Sequence, residues 1–325
     1  MVKISIIIPV FNAESTIQTT LKNIKQQTLN DIEIICIDDG STDNTAMIIN
    51  NEINHDSRIS YYYQSNAGAG SARNCGLMKA SGKYISFMDA DDKFCEENNL
   101  KEMFNVAEKN ASNICGGYIQ FWEEKSKKFI NRHQINSVGI INYEDYQVIT
   151  GFSRFIYNRQ FLIDNDIFFP PYRVYEDPVF LLKAMCAAKK FQYIDIPTYC
   201  YMGTHQNKNM NIRKIKDFLK GLTDVFILSE QNNLKKLYND TYEALTKQAC
   251  FYIEKDFSMM DDELFSKILY INSIIRWDFL DNHDAKNVLP ILDFTKELSI
   301  KYYRISNSVF IKTLRRIKSV LRGQR

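Results

Sequence analysis

The sequence contains no run of 18 apolar residues, so no membrane-spanning helix is expected and any membrane contact would be peripheral. Glycine and proline are scarce, 12 and 6 in 325 residues, which excludes collagen-like and low-complexity chains. The seven cysteines are scattered without a C-x-x-C pair, and several sit in apolar runs, the usage of a reducing, cytoplasmic compartment. The start of the chain lacks a small-residue cleavage site. Ile4 to Ile8, interrupted by Pro9 and Asn12, reads as a strand and not as a signal peptide. Excess charge is missing too: a net +2 argues on bulk charge against a nucleic-acid partner. That sum is uneven, because Lys301 to Arg325 holds eight Lys or Arg and no acid, leaving −6 on the residues before it.

What is present is globular, with 45% hydrophobic and 25% charged residues, and a length that suits two domains. β-branched runs at Ile4 to Val10, Ile32 to Ile37, Ile59 to Tyr63 and Tyr84 to Met88 alternate with helical patterns at Ser15 to Gln26, Asp43 to Asn51, Ser71 to Ala80 and Leu100 to Lys109. Such alternation predicts an α/β fold, a mostly parallel sheet flanked by helices, with its ligand site beyond the carboxyl ends of the strands. Strands at Ile114 to Phe121, Phe191 to Ile196 and Tyr199 to Met202 and a helix at Pro178 to Ala188 would complete it. Helical patterns then take over at Ile215 to Leu228, Tyr242 to Lys255 and Leu264 to Ile275, so a domain of residues 1–207 and a helical region of residues 208–325 are expected.

Three strand ends carry the chemistry: Pro9-Val10-Phe11-Asn12-Ala13-Glu14, Asp38-Asp39-Gly40-Ser41-Thr42-Asp43 and Asp89-Ala90-Asp91-Asp92. Carboxylates crowded on one rim repel unless a cation or a hydrogen-bonding ligand sits among them. Asp89 and Asp91, spaced i, i+2, suit a hard divalent cation that also holds phosphate oxygens. Taken alone, the pair equally fits a turn in which Asp91 or Asp92 caps the next helix. Asp38 and Asp39 can accept from a nucleobase ring N–H, and Asp43 reads as the N-cap of the following helix. Phe11 offers a stacking face, though by itself it reads as core. Asn66 to Asn74 opens a helix with Gly68, Gly70 and Arg73 and can face a phosphate, but it lacks the third glycine of a dinucleotide fingerprint. Asp177 before Pro178 has the pattern of an N-cap with proline at the first helical position.

Taken together, Ser5 to Asn12, Gln27-Thr28-Leu29, Glu33 to Asp43, Asn66 to Gly76, Tyr84 to Asp92 and Tyr175-Glu176-Asp177 resemble, in order, the motifs of inverting family 2 glycosyltransferases of the GT-A fold. The resemblance spans roughly residues 3–205 and implies a nucleotide-sugar site lined by Pro9, Phe11 and Glu14, with Phe11 in place of the family's usual Tyr. It implies Asp39 on the base edge, Arg73 near the diphosphate or donor sugar, Asp89 on the ribose or metal, and Asp91 on Mn²⁺ or Mg²⁺. Asp177 would be the general base, and His205 a further metal or diphosphate ligand. The implied donor is UDP-linked and the acceptor a bacterial surface glycan, such as capsule or lipooligosaccharide, free or lipid-linked. A nucleotide-sugar-binding scaffold without catalysis is the alternative. His55, His133 and His283 have no matching partners and are expected at the surface. In residues 309–325, Phe310, Leu314, Ile317 and Leu321 form an apolar helical stripe opposite Lys312, Arg315, Arg316, Lys318 and Arg322, suited either to the inner face of an anionic membrane or to docking on the body.

Overall fold

The computed structural model describes residues 1–203, 210–255 and 261–281. They divide into two units, Met1–Asn209 with Gln231–Leu234, and Met210–Glu230 with Lys235–Arg325. His205, His283 and the basic stretch 309–325 lie outside the described residues.

In the first unit the chain runs β1 (Ile4–Val10), α1 (Ile17–Lys25), β2 (Ile32–Asp38), α2 (Thr45–Ile53), β3 (Ile59–Tyr63), α3 (Ala69–Lys79), β4 (Tyr84–Phe87), α4 (Asn99–Lys109), β5 (Ile114–Glu123), β6 (Lys128–Arg132) and β7 (Gly139–Asn142). It continues through α5 (Tyr143–Tyr146), β8 (Phe155–Asn158), α6 (Arg159–Asp164), α7 (Glu176–Ala188) and β9 (Lys190–Tyr201). The strands lie in the order β3-β2-β1-β4-β8-β5-β9-β7, with β6 added to β5. β1, β2, β3 and β4 pair in parallel, as the βα alternation predicts. Ile6, Ile7 and Ile8 are all fully buried, the two-sided burial that an uninterrupted apolar strand produces between helices. β2 and β3 extend to one side of β1 while β4 lies on the other, so the switch of strand order, where open α/β sheets bind ligands, falls between β1 and β4. Helix α3 approaches closely there: a Cβ on Gly76 would come within 2.4 Å of Ile7 Cγ2.

Beyond β4 the sheet is mixed. β8 is antiparallel to β4 and β5, β9 runs parallel to β5, and β7 is antiparallel to β9. The sequence pattern does not reveal β6, β7 or β8; β6 is exposed at every residue and so carries no one-sided apolar pattern to read. The two strands expected at 191–196 and 199–202 form one, β9, because Pro197 sits at a register shift opposite Tyr118 where no ladder donor is needed. The cap expected at Asp177 also shifts. Tyr175, with φ of 68°, stands at the cap and α7 begins at Glu176, so Asp177 lies in the first turn.

In the second unit, α8 (Ile212–Gln231) buries Ile215, Phe218, Leu219, Leu222, Val225 and Phe226 along one face. α9 (Lys235–Ala244) passes through a π-helical turn, Leu245–Ala249, into α10 (Cys250–Lys255), and α11 (Asp262–Ser273) follows. Lys216 ties α8 to the start of α11 through Asp261 and Glu263, both at 2.6 Å. Among the described residues no helix is long and apolar enough to cross a membrane.

His55 is exposed, as expected, but His133 is not a plain surface residue. It is half-buried beside Thr150, and burial together with the Arg154 and Arg132 cations pushes its pKa down to about 4. Arg154 is itself fully buried, bonded to the Gly117 carbonyl at 2.5 Å and the Tyr146 hydroxyl at 2.8 Å. Because the unfolded imidazole titrates near 6.5, the unfolded chain binds the extra proton between pH 6.5 and 4, and stability falls as pH drops through that window. Replacing His133 by Asn, which tolerates the left-handed φ of 63°, should remove this contribution. Urea unfolding at pH 7 and pH 5 should show the wild type losing about 2 kcal/mol more than His133→Asn between the two.

Candidate active site

The loops leaving β1 and β2 are one hydrogen-bonded unit. Asn12, held at φ of 50°, accepts from Thr42 N–H at 2.8 Å and donates its own N–H to Ser41 Oγ at 3.0 Å. Glu14 Oε2 accepts from the backbone and side-chain amides of Asn44 at 3.0 Å each, and Glu14 N–H reaches Asp43 Oδ2 at 3.1 Å. Asp43 does serve the helix start, accepting from Thr45 N–H at 3.0 Å, while Asn44 occupies the cap position itself. Phe11 projects from this rim 52% exposed, against the core tendency of an isolated Phe. Pro9 is half-buried and pairs with Ile37 of β2.

Asp38 is buried and closes its own turn. Its carboxylate accepts from Ser41 N–H at 2.7 Å and from Tyr61 Oη at 2.8 Å, and Gly40 takes φ of 83°. Asp39, also buried, accepts from Gln64 Nε2 at 2.8 Å and Ala67 N–H at 2.7 Å on one oxygen and from Gly68 N–H at 2.8 Å on the other. It thereby fixes the loop that opens α3, with acceptor capacity for one further donor. Arg173 lies over that loop, donating to Asn66 Oδ1 at 2.6 Å and packing against Gly68 at φ of 101°.

Across the β1/β4 switch, Arg73 projects from α3 and is 5% exposed. It donates to Asp89 Oδ1 at 2.8 Å and Glu176 Oε1 at 3.2 Å, and its guanidinium lies over the rings of Phe152 and Phe169 at 4.8 and 5.2 Å. Burial works against its charge, but Asp89, Glu176 and then Asp177 outweigh it and hold the group protonated. Asp177 is half-buried in the first turn of α7, and its charge also reaches Tyr175 and Tyr201. Arg73 thus joins the end of β4 to the start of α7, bringing Asp177 and the Asp89-Ala90-Asp91 turn to one place.

Tyr199 anchors the other side of that turn. Its hydroxyl accepts from Asp89 N–H at 3.2 Å and donates to Asp92 Oδ2 at 2.7 Å, while Asp92 Oδ1 accepts from Met202 N–H at 2.8 Å. Burial and the neighbouring Asp89 charge push the Asp92 pKa up, while both of its oxygens are already taken up by Tyr199 and Met202. Among the described residues no group of three or more His, Cys, Asp or Glu is arranged to hold a metal. Asp89 and Asp91, both half-buried, remain as two carboxylates, a donor set that fits a hard cation completed by phosphate oxygens and water.

Sequence reasoning assigned no role to Glu176, Tyr199 or Asn12, and gave Asp92 only the alternative of capping the next helix, whose cap is Asn98. Of the first three, only Glu176 left a trace, in the Glu-Asp doublet at a helix start.

A family model described as Glycosyl transferase family 2 matches residues 5–180. The chain is 30% identical over 214 residues to an uncharacterized glycosyltransferase, EpsJ of Bacillus subtilis, a match covering 61% of this chain and 60% of that protein. It is 27% identical over 281 residues to an uncharacterized glycosyltransferase, YibD of Escherichia coli, covering 78% and 80%. Among solved structures, S. aureus TarS residues 1–349 in complex with UDP-GlcNAc shares the fold, with a TM-score of 0.69 at 17% identity over 85% of this chain and 82% of that one. The mannosyltransferase PcManGT from Pyrobaculum calidifontis, in complex with GDP-Man and Mn²⁺, has a TM-score of 0.52 at 14% identity over 94% and 86%. These structural likenesses speak to the GT-A architecture.

The anchoring role of Tyr199 is open to test. Tyr199→Phe leaves the Asp89 N–H and the buried Asp92 carboxyl each short of a partner and should lower stability to urea by about 1–3 kcal/mol.

Proposed function

The chain belongs to glycosyl transferase family 2, and on that premise we propose that it moves one sugar, with inversion, from a UDP-sugar to a hydroxyl of a growing bacterial surface glycan. The observation that carries this reading is the Arg73 clamp, which joins Asp89 at the end of β4 to Glu176 beside Asp177. An inverting transfer needs just such a meeting of a base with a diphosphate-binding turn.

Pro9, Phe11 and Glu14 line the nucleotide side, where the exposed Phe11 ring offers the base a stacking face. Asp39 accepts from the base edge, and Arg73 lies near the diphosphate or donor sugar. Asp177 takes the proton from the acceptor hydroxyl as its oxygen forms the bond to the anomeric carbon. The bond from that carbon to the diphosphate breaks with the electron pair leaving on the phosphate oxygen, so no covalent enzyme intermediate is needed. Asp91 with Asp89 would hold Mn²⁺ or Mg²⁺, which supplies charge neutralisation for the departing diphosphate. His205 is the candidate further ligand. The amphipathic basic stretch 309–325 would hold the enzyme at the cytoplasmic face of an anionic membrane bearing a lipid-linked acceptor.

Asp177→Asn should lower turnover of a UDP-sugar with Mn²⁺ by about 10²–10⁴ while leaving UDP affinity within a few-fold of wild type. Asp91→Ala should abolish the EDTA-sensitive part of UDP binding in a calorimetric titration. Equal activity of Asp177→Asn removes the base assignment, and equal UDP binding of Asp91→Ala with and without EDTA removes the metal assignment. Deleting residues 308–325 should release the protein from phosphatidylglycerol vesicles in a pelleting assay; unchanged pelleting removes the membrane contact.

A further inference from the structure

The β5–β6 hairpin carries an aromatic row that the nucleotide side does not use. Strand register places Ile119, Phe121, Ile130, Arg132, Tyr199 and Tyr201 on one face, since Phe121 pairs with Ile130 and Tyr201, and Ile119 with Arg132 and Tyr199. The Phe121 and Tyr201 rings stack with centroids 5.1 Å apart and planes 13° from parallel. The Arg132 guanidinium lies 4.5 Å from the centre of the Phe121 ring. Ile130 is 39% exposed, and Phe121 and Tyr201 are half-buried, so the row reaches solvent.

The row leads into the catalytic turn. On its other edge β9 is bridged at Cys200 by Lys93, two residues past Asp91, and Tyr201 follows directly. Tyr201 stacks on the Phe121 ring, and Tyr199, two residues before it on the same face of β9, bonds the Asp89 N–H and the Asp92 carboxylate of the catalytic turn. In the strand order this row is across β4 and β8 from β1 and β2, which bear the proposed nucleotide side. A sugar that receives a bond at Asp177 must approach from the side that the nucleotide leaves open.

We propose that Tyr201, Phe121 and Ile130, ended by Arg132, form the acceptor platform, against whose ring edges and Ile130 side chain a hexopyranose ring of the growing glycan packs its apolar C–H face with its hydroxyls turned to Arg132 and the catalytic turn. The chemistry is that of the residues: aromatic and branched surface for the apolar side of the sugar and guanidinium donors for its hydroxyl oxygens. The inference rests on the donor reading above and names the acceptor side of the same site.

The test uses the full chain with Mn²⁺, the UDP-sugar it hydrolyses, and a panel of methyl hexopyranosides at high millimolar concentration. Tyr201→Ala and Phe121→Ala should each raise the acceptor KM by about tenfold, the effect of losing one aromatic contact. UDP affinity should stay within twofold, which also reports that the variants fold, and Tyr201→Phe should restore the acceptor KM. Wild-type KM in Tyr201→Ala overturns the platform and leaves the donor reading intact, as does donor hydrolysis with no transfer to any glycoside of the panel. Equal loss of UDP affinity and acceptor KM assigns the row to packing and also overturns it. A wild type that neither hydrolyses nor transfers from any UDP-sugar brings down the donor reading and the platform with it.

Discussion

A guanidinium taken out of water must be neutralised where it lies, and the site is arranged around that requirement at Arg73. The group is buried against Phe152 and Phe169, and its charge is met chiefly by the two carboxylates that touch it, Asp89 and Glu176. Removing one partner of such a buried set costs on the order of 3–5 kcal/mol, because the other charge stays behind uncompensated. Helix α3, the end of β4 and the first turn of α7 are therefore fixed to one another by electrostatic necessity. The residues proposed for the diphosphate and for proton transfer inherit their positions from it.

The parallel half of the sheet was readable because its information is local. β1 to β4 are apolar runs of four to seven residues, each followed by a helical pattern, and their ends hold the Asp, Gly and Asn that turns require. The contacts that assemble the site are different in kind. Arg73 and Glu176 are 103 residues apart, Tyr199 and Asp92 are 107 apart, and no periodicity records either meeting. Asp39 shows the same limit at shorter range: its position at a strand end was legible, but not that three donors from the 64–68 loop would surround its carboxylate. His133 was misjudged for want of a sequence partner, when burial beside two arginines decides its chemistry.

The two halves of the sheet differ in what they can offer a ligand. Parallel strands end together, and their loops, laced through Asn12, Glu14 and Asp43, make a polar rim with backbone amides already oriented. The mixed half ends unevenly, and β5 and β6 run on past β8 as a hairpin whose β6 strand is exposed throughout. Hydrogen-bonding chemistry belongs to the first half and flat apolar surface to the second, with the Asp89-Ala90-Asp91 turn at their junction.

Between Cys115–Gln192 and Ile119–Tyr199 the pairing of β5 with β9 slips by three residues, around Gly117 and Pro197. Three is odd, and side chains on a strand alternate, so the slip reverses which face of β9 each residue occupies. Gly117 allows the crowding, since a Cβ there would stand 2.0 Å from the Ile196 carbonyl oxygen. The insert therefore acts as a phase setter for everything after it. Shortening it by one residue would exchange Tyr199 and Tyr201 with Cys200, carrying both hydroxyls to the opposite side of the sheet from Asp92. Insertions of even length would be the ones this segment can accept, so length variation between relatives at this point should come in steps of two.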